Sequence, residues 1–477
     1  MEMGICLERR AFLSGCLATA AVSALAGRRP DAEENPRLVV GLLSDLHLKD
    51  KAEYPGCGPV AKLEKAFRLF DVCKADAVLI SGDLADNGIV PQLEQLAGIW
   101  NRHFPGDRRS DGEKIERLFH FGDHDTGGYA HTASFFKSNE RLKACYGVDD
   151  ATLEKWSIRS DRAAIWRRVF GEEFEPIRHK RVKGYDFLLA HWDKDAPGAN
   201  GGNATPGLAE ALARIHPDPD RPFFYSQHRV YRGAVGGPFT WGQDDGSAGN
   251  ILSAYPNAVA FCGHGHLTAT DESVLWQGAF TAIEIPSLRY VGLESGHANK
   301  INVDAAEQGL LMRVYDREIV IERHDLGTGE RLGPDWRFPV AKADRPYAPA
   351  RREAEEIAPQ FPADARATVR EIERTDADGR RFEVSFPPAR TTATSPRAYD
   401  YEVSLACIET GGRAPRTVKR VFSESCVRAE SLDVKPVRCI FTEKELTLFP
   451  HGELVAQVCP CGRFGRKGRP LVARVSP

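Results

Sequence analysis

The sequence lacks any apolar run long enough to cross a membrane, and it has no strong excess of charge of either sign. Its apolar N-terminal run, residues 11–26, has 16 residues, whereas a membrane-spanning helix needs about 20. The 64 Lys and Arg residues against 67 Asp and Glu residues give a formal net charge of −3. The chain as a whole therefore offers no electrostatic attraction for nucleic acid or anionic lipid, and an anionic substrate must be held by a local site.

The sequence also lacks internal repeats and low-complexity tracts, and its composition is that of an ordinary folded protein. Hydrophobic residues make up 42% of the 477 residues and charged residues 27%, with 43 glycines and 30 prolines. This excludes a disordered or collagen-like chain. At about 150 residues per domain, the length predicts a soluble protein of two to three domains.

The first 30 residues have the layout of a secretory signal peptide. Arg9 and Arg10 precede the apolar run, which ends in small residues. The segment RRAFL at 9–13 resembles the twin-arginine export signal, although Glu8 stands where that signal has Ser or Thr. We expect residues 1–30 to be removed and the protein to be periplasmic or secreted. An N-terminal helix that frays is the alternative.

The cysteines are odd in number once this segment is removed. Nine of the 11 remain, so at least one thiol stays free. Export permits disulfides, and the candidates are the five cysteines after residue 400: Cys407, Cys426, Cys439, Cys459 and Cys461. Cys459-Pro460-Cys461 is a weak metal motif, because no second pair with zinc-site spacing accompanies it.

Between residues 38 and about 323, short apolar runs alternate with helical patterns, which is typical of a layered α/β domain. The runs are nearly continuous in apolar character, as strands covered on both faces are. Helical spacing recurs over 60–70 and 91–100, and residues 310–321 predict a hairpin. The predicted strands are 38–43, 77–80, 118–121, 187–190, 223–225 and 258–262. We assign this domain to 38–338.

A second domain follows a proline-rich, charged segment at 339–362 that predicts a linker. Residues 399–407 alternate apolar and polar side chains, and similar runs occur at 368–372, 382–386, 418–422, 437–441 and 454–458. This spacing predicts a β-sandwich of fibronectin or immunoglobulin type over 363–477. The region has no Trp, which disfavours binding of carbohydrate or cell-envelope polymer there.

Five of the predicted strands of the first domain are followed by Asp and His residues. In chain order these are Asp45 and His47; Asp83 and Asp86; Asp123, His124 and Asp125; His228; and His264 and His266. The carboxyl ends of strands in open α/β sheets converge in one crevice, so we expect these side chains to meet. Carboxylates buried together repel, so the cluster needs cations. Asp and His ligands without thiolate suit Mn, Fe, Zn or Co, and their number suits two ions.

These blocks resemble the signature of the calcineurin-like metallophosphoesterases, which reads D-x-H, G-D-x-x-D, G-N-H-D/E, a lone His and G-H-x-H. All five blocks occur in this order over residues 45–266, and the resemblance covers about residues 38–325. It implies a layered β-sandwich core flanked by helices, and two divalent or mixed-valence metal ions. It also implies hydrolysis of a small phosphate mono- or diester through attack by a hydroxide that bridges the metals.

The resemblance further implies a role for each residue. The first metal would be held by Asp45, His47 and His266, the second by Asp123, His228 and His264, and both by Asp83. His124 would protonate the leaving oxygen, with Asp125 or Asp86 orienting it. The related purple acid phosphatases have a ligand Tyr at the position of Asp86, so an iron-tyrosinate site is not expected. Asp123 departs from the family's Asn.

The alternative function is a catalytically silent metal-binding or envelope-interaction protein on the same fold, which Asp123 and the extra domain favour. Taken singly, each site residue is explained as well by a turn or a core position, and only the joint pattern favours a metal centre. Five more residues lie in or beside predicted loops near the crevice, where either substrate contact or simple loop capping would explain them: His131, His191, Asp193, Asp244 and Asp245. The sequence leaves the substrate and the oligomeric state open.

Overall fold

The structure, a computed structural model, describes residues 35–49, 58–127, 140–192, 206–237, 240–340, 344–409, 415–432 and 435–475. The predicted signal peptide at 1–30 lies outside the described residues, as do Cys57, His131 and Asp193. In the described ranges, no helix combines the length and the apolar character needed to cross a bilayer.

Two six-stranded sheets form the α/β domain. The first contains β1 (Leu38–Leu43), β2 (Ala77–Ser81), β3 (Glu116–His120), β10 (Gln308–Val314), β11 (Glu318–Asp325) and β12 (Trp336–Pro339). Its strand order is β12-β11-β10-β1-β2-β3. β1, β2 and β3 run parallel, and β10 pairs antiparallel with β1. The predicted hairpin is confirmed as β10 and β11, which pair from Gln308 to Val314.

The second sheet contains β4 (Ile177–Val182), β5 (Tyr185–Ala190), β6 (Phe223–Ser226), β7 (Ala258–Cys262), β8 (Leu275–Gln277) and β9 (Thr281–Glu284). Its order is β4-β5-β6-β7-β9-β8. β5, β6, β7 and β9 are parallel, and β4 and β8 close the two edges as antiparallel strands. All six predicted strands are therefore confirmed, with ends that shift by one or two residues.

The two sheets pack face to face, and helices cover both outer faces. Leu38, Val40 and Leu42 of β1 share one apolar core with Phe187 and Phe224 of the second sheet. The alternate β1 residues belong to a second core, which they share with α1 (Pro59–Val72), α2 (Val90–His103) and α5 (Arg162–Phe170). A third core lies under α6 (Pro206–Ile215) and α7 (Ser247–Leu252). β1 is buried on both faces for this reason, which its uninterrupted apolar sequence predicts.

Three further helices of the described chain have few buried residues. They are α3 (Glu140–Tyr146), α4 (Asp150–Trp156) and α8 (Pro349–Glu355). α4 begins after Asp149, whose side chain accepts a hydrogen bond from the backbone N–H of Thr152, and α5 begins in the same way after Asp161. These Asp residues cap the free amides of the first helical turn.

The C-terminal β domain consists of two antiparallel sheets that share one core. One contains β13 (Thr368–Thr375), β14 (Gly379–Phe386) and β17 (Val437–Thr442); the other contains β15 (Asp400–Ile408), β16 (Thr417–Val421), β18 (Glu453–Cys461) and β19 (Leu471–Val475). The six predicted runs are confirmed as strands, and β19 was not predicted. The assignment to the fibronectin or immunoglobulin type stays a prediction. The five cysteines of this domain are free thiols, so the expected disulfides are not formed.

The two domains share a polar and apolar junction. Val291 and Ala306 of the α/β domain pack with Phe422, Cys426 and Val427 of the β domain. The predicted linker at 339–362 includes α8, and its Arg345 donates hydrogen bonds to the backbone carbonyls of residues 256 and 279. This segment therefore contacts the α/β domain through Arg345 and the β domain through Gln360, whose backbone N–H donates to Ser395 Oγ, while the predicted domain boundaries stay predictions.

Candidate metal centre

The Asp and His residues singled out in the sequence lie in turns at one end of the two sheets. Asp45 and His47 follow β1, Asp83 follows β2, and Asp123 follows β3, while His228 follows β6 and His264 and His266 follow β7. The two parallel strand sets present their carboxyl ends to each other at this edge. All seven side chains are buried.

The turns that carry them have unusual backbone conformations. Five of the nine non-glycine residues with positive φ in the described chain belong to this cluster: Asp45 (51°), His47 (43°), Asp83 (50°), His264 (68°) and His266 (55°). The left-handed region is costly for residues with a Cβ, and such strain concentrates at functional sites. These turns are locally unfavourable in energy, and they direct the five side chains towards one another.

One group of donors consists of Asp83, Asp123, His228 and His264, whose ligand atoms all lie within 4.8 Å of one another. Asp123 Oδ1 lies 3.0 Å from His228 Nε2 and 3.2 Å from His264 Nδ1. Asp83 Oδ2 lies 3.2 Å from the same His228 nitrogen. Four buried oxygen and nitrogen donors at these distances have the composition of a transition-metal site.

A second group, Asp45, His47 and His266, adjoins the first. His266 Nε2 lies 3.2 Å from Asp45 Oδ1 and 3.2 Å from His47 Nε2. Asp83 Oδ2, which faces His228 in the first group, lies 3.5 Å from His47 Nε2. One carboxylate oxygen of Asp83 therefore stands between the two groups, where a ligand shared by two ions would be.

Backbone carbonyls determine which ring nitrogen of two histidines faces the cluster. His228 Nδ1 donates to the carbonyl of Ser81 at 2.8 Å, and His266 Nδ1 donates to the carbonyl of Tyr290 at 3.0 Å. A carbonyl only accepts hydrogen bonds, so Nδ1 carries the proton in both rings. The Nε2 lone pairs are thereby directed at the donor groups, as in metal sites with ordered outer ligands.

Two glycines make room for this arrangement. A Cβ at Gly122 would lie 2.2 Å from Asp83 Oδ1, and a Cβ at Gly263 would lie 2.6 Å from Asp45 Oδ2. Both distances are shorter than any non-bonded carbon–oxygen contact, so a side chain at either position would displace a carboxylate.

The electrostatics of the cluster favour added cations. Burial opposes ionisation of Asp45, Asp83 and Asp123, but the neighbouring histidines hold the pKa of each carboxyl below its ordinary value. Burial also opposes a charge on His228, yet the Asp83 carboxylate raises its pKa well above 6.5. In the metal-free protein the carboxylates are ionised and rely on protonated imidazole for compensation. Metal cations would take over that role, so the donor set fits them.

His124 lies at the edge of the cluster and is held by the backbone. Its Nδ1 donates to the carbonyl of Asp86 at 2.7 Å, and its own N–H donates to Asp83 Oδ1 at 2.9 Å. Burial opposes its charge, but the carboxylates of Asp83 and Asp123 raise the pKa of His124 to about 9 in the metal-free protein. Its ring packs edge-on against His47, with 4.5 Å between centroids.

Of the two acidic residues predicted to orient His124, Asp86 holds its Nδ1 through the backbone carbonyl, and both carboxylates make further contacts. The Asp125 carboxylate accepts hydrogen bonds from the backbone N–H groups of residues 84, 85 and 122 at 2.8–3.1 Å. It joins the turn after β2 to the turn after β3, which is a positioning role, and its predicted part in catalysis stays a prediction. Burial and the charge of Asp83 raise its pKa to about 7. The Asp86 carboxylate lies 3.2 Å from His47 Nδ1 and 3.2 Å from Lys49 Nζ.

The further candidates near the crevice make contacts that stabilise the fold, where they are described. His191 is buried, accepts a hydrogen bond from the backbone N–H of Phe121 and packs against Trp166; burial lowers its pKa, so it is neutral. Asp244 accepts from Gln227 and from backbone N–H groups, and Asp245 accepts from the N–H of Ser247. Asp244 and Asp245 make the local capping contacts that were their simpler explanation, whereas His191 lies in the core, which was not predicted.

Three residues beside the centre were not predicted. The Trp241 indole is 70% exposed and stacks on the His264 ring at 4.7 Å. The Tyr290 ring lies 4.4 Å from the ring of His266. Arg229 follows His228 directly and lines the cavity that opens at the centre. Only the adjacency of Arg229 to His228 could have been noticed in the sequence, because Trp241 and Tyr290 reach the site from loops without a motif.

Arg229 differs from the other cations of this cavity. Lys49 is paired with Asp86, Arg352 with Glu272, and Arg463 with Asp271. No described residue accepts a hydrogen bond from the buried Nε of Arg229. Arg229 as a whole is partly exposed, and a guanidinium that lines a cavity and has no carboxylate partner among the described residues suits an anion.

No protein-family model matches the chain, and no curated protein does. Among solved structures, a dimetal phosphatase from Danio rerio is 10% identical, with a TM-score of 0.39 over 64% of this chain and 100% of that chain. GAP50, the anchor in the inner membrane complex of Plasmodium, is 11% identical, with a TM-score of 0.37 over 65% of this chain and 90% of its own. A predicted phosphoesterase from Streptococcus pneumoniae TIGR4 is 10% identical, with a TM-score of 0.27 over 63% of this chain and 97% of that chain. These values are too low to assign an activity.

Proposed function

We propose that this protein is a metal-dependent phosphoesterase that uses two divalent ions to hydrolyse phosphate mono- or diesters. The observation that carries the proposal is the position of Asp83, whose Oδ2 lies 3.2 Å from His228 Nε2 and 3.5 Å from His47 Nε2. A single carboxylate between two sets of imidazole donors suits a pair of adjacent cations better than a single ion.

The residues that would hold the metals follow from the two donor groups. The first ion would be held by Asp45, His47 and His266, the second by Asp123, His228 and His264, with Asp83 shared. Manganese, iron, zinc and cobalt all accept such ligands. When bound, a metal pair supplies charge to neutralise phosphoryl oxygens and lowers the pKa of a water molecule so that it can act as the nucleophile.

Two residues outside the donor groups would act on the ester itself. His124 holds its Nδ1 proton on the carbonyl of Asp86, and its Nε2 is the nitrogen that would deliver a proton to the departing oxygen. The Arg229 guanidinium, which lines the cavity and whose Nε has no acceptor among the described residues, would bind phosphoryl oxygens and orient the ester. Asp86 and Asp125 would act through others: Asp86 holds His124 through its backbone carbonyl and lies 3.2 Å from His47 Nδ1, and Asp125 holds the turns.

Hydrolysis by the metal-loaded protein tests the proposal. Purified protein would be loaded with Mn, Zn, Fe or Co and assayed on an aryl phosphomonoester and an aryl phosphodiester, with metal content measured in parallel. We expect turnover of at least one ester and about two ions per chain. The variant Asp83→Asn should lose both turnover and metal, whereas the exposed Asp220→Asn should keep both. Firm metal binding without turnover on either ester would reject the enzyme and favour the silent metal-binding alternative.

We further propose that the protein is exported by the twin-arginine route. The support is the Arg9-Arg10 pair ahead of the apolar run at 11–26. Twin-arginine export carries folded proteins, which would allow metal loading before translocation. Changing both arginines to lysine should retain the protein in the cytoplasm, as fractionation would show. Undiminished export of the double variant would exclude this route.

A further inference from the structure

The cavity at the metal centre is much larger than a phosphoryl group requires. It has a volume of about 1480 Å³ and extends from His264 and His266 to Arg463 and Phe464 of the C-terminal β domain. Pockets for small molecules usually measure about 300–1,000 Å³. The part of the cavity beyond the metal donors therefore has room for most of a substrate's organic group.

Apolar and aromatic side chains line this distal part. They come from three separate segments: the loop after β7 together with β8, the segment that contains α8, and the turn between β18 and β19. The residues, in the same order, are Leu267, Leu275 and Trp276; Tyr347 and Pro349; and Phe464. Trp276, Tyr347 and Phe464 are each partly exposed and line the cavity. Such a wall favours a flat apolar group over a sugar or a charged chain.

The aromatic wall is held in place by a paired arginine. The Arg352 guanidinium lies over the Tyr347 ring at 5.0 Å and over the Phe464 ring at 5.1 Å. Arg352 also donates to the carbonyl of Leu275 at 3.1 Å and pairs with Glu272. Its charge is thus compensated within the protein, so its role here is to hold the two rings and not to attract an anion.

The turn of the β domain that supplies Phe464 is anchored on the α/β domain and on the segment 339–362. Arg463 Nε donates to Asp271 Oδ1 at 2.8 Å, and its Nη2 lies 3.1 Å from Glu294 Oε1. The backbone N–H of Phe464 donates to Glu356 Oε1 at 2.8 Å. Contacts on both sides of the turn order it before a ligand binds, which lowers the entropic cost of binding.

We infer that the distal part of the cavity binds a bulky aromatic group of the substrate, and that the C-terminal β domain takes part in substrate selection through Phe464. The substrate class is accordingly phosphoesters of bulky aromatic alcohols. The direction of binding, with the phosphoryl group at the metal centre, rests on the proposed function. The aromatic binding region rests only on the cavity and its wall.

Matched esters test the inference in the full-length, metal-loaded protein. Phenyl and 2-naphthyl phosphates, and their methyl diesters, have leaving phenols of similar acidity but different size. We expect kcat/KM to be at least tenfold higher for the naphthyl ester, mainly through a lower KM, since one aromatic stacking contact is worth about that much. Phe464→Ala should remove the preference by raising KM for the naphthyl ester, with little change for the phenyl ester.

Two further variants distinguish a loss of ligand binding from a loss of folding stability. Phe449→Ala makes the same change at a partly buried position of the same domain that does not line the cavity, and it should keep the preference. Phe464→Leu keeps apolar volume but removes the aromatic face, and it should behave like Phe464→Ala while melting at the wild-type temperature. Equal KM values for the two esters in the wild-type protein, with ordinary turnover, would overturn the inference and leave the proposed function standing.

Binding of 2-naphthol, which carries no phosphate, distinguishes failure of the aromatic binding region from failure of the proposed phosphoesterase activity. Calorimetric titration of the wild-type protein should detect it, and Phe464→Ala should weaken it about tenfold. Naphthol binding that depends on Phe464 in a protein that hydrolyses no ester would support the aromatic region and reject the phosphoesterase. Naphthol binding unaffected by Phe464→Ala would reject the aromatic region.

Discussion

Replacing Asp123 by Asn tests the charge balance of the metal centre. Asp123 stands where the resemblance leads us to expect Asn, and its Oδ1 lies 3.0 Å from His228 Nε2 and 3.2 Å from His264 Nδ1. An Asn side chain keeps a carbonyl oxygen that can bind a metal, loses the negative charge and gains an N–H donor. The substitution therefore changes charge while keeping the size and one donor atom.

The size of the expected change in rate follows from the short distances within the donor group. Its ligand atoms all lie within 4.8 Å of one another, so a phosphoryl group bound among them is about 5 Å or less from the Asp123 carboxylate. At about 5 Å and an effective dielectric constant near 20, the repulsion between two unit charges is about 3 kcal/mol. Removing that repulsion from the transition state corresponds to roughly a hundredfold in rate.

We therefore expect Asp123→Asn to raise kcat at saturating metal by up to about a hundredfold and to weaken binding at the second metal site. Chelator competition would measure metal affinity, and steady-state hydrolysis of an aryl ester at several metal concentrations would give kcat. Thermal unfolding of the metal-free variant checks that the fold is intact. Affinity and turnover should move in opposite directions.

A lower kcat at saturating metal would refute this reasoning. It would mean that the Asp123 carboxylate takes part in the reaction, for example by accepting a proton, and that its charge is not an obstacle to the phosphoryl group. Unchanged metal affinity would refute the assignment of Asp123 as a ligand.

Four further predictions concern single residues and pH. Gly122→Ala should displace the Asp83 carboxylate, because the new Cβ would lie 2.2 Å from its Oδ1, and metal content after gel filtration should fall. His124→Gln should lower kcat by about 10²–10⁴ for esters of weakly acidic alcohols and much less for nitrophenyl esters, whose leaving group needs no proton. Arg229→Ala should raise KM and the inhibition constant of inorganic phosphate about tenfold, since a charge-assisted contact is lost. Metal binding at pH 7 should release about one proton per chain, because the Asp83 carboxylate overcomes the burial of His228 and raises the pKa of its ring, which must lose its proton to bind a metal.

Three of these predictions have a control or an outcome that would contradict them. Arg232→Ala changes an exposed arginine of the same loop and should leave KM unchanged, and an equal effect of both arginine variants would reject the role of Arg229. A kcat loss in His124→Gln that is the same for all esters would reject proton donation. For pH, metal affinity should rise as pH rises towards the raised pKa of His228, and an affinity that falls over that range would show that another group controls binding.

Much of the fold could be predicted from the sequence because its signals are local. The uninterrupted apolar run Leu38–Leu43 predicts a strand covered on both faces, and all six of its residues are buried. The Asp and His residues after the strands also come together, because parallel strands place their carboxyl ends at one edge. The strand β19 was missed, since its exposed Val472 and Val475 leave no apolar pattern that marks a buried strand.

Only the tertiary structure decided how these residues are used. The sequence by itself determined which donors are present and that a buried set of carboxylates needs cations. It did not determine that Asp125 binds three backbone amides, that His228 presents Nε2, or that Arg352 holds aromatic rings beside the cavity. The physical reason is that each depends on hydrogen bonds or ring contacts between segments remote in the chain. The left-handed turns at Asp45 and Asp83 carry no sequence signal either, since only the surrounding fold compensates their cost.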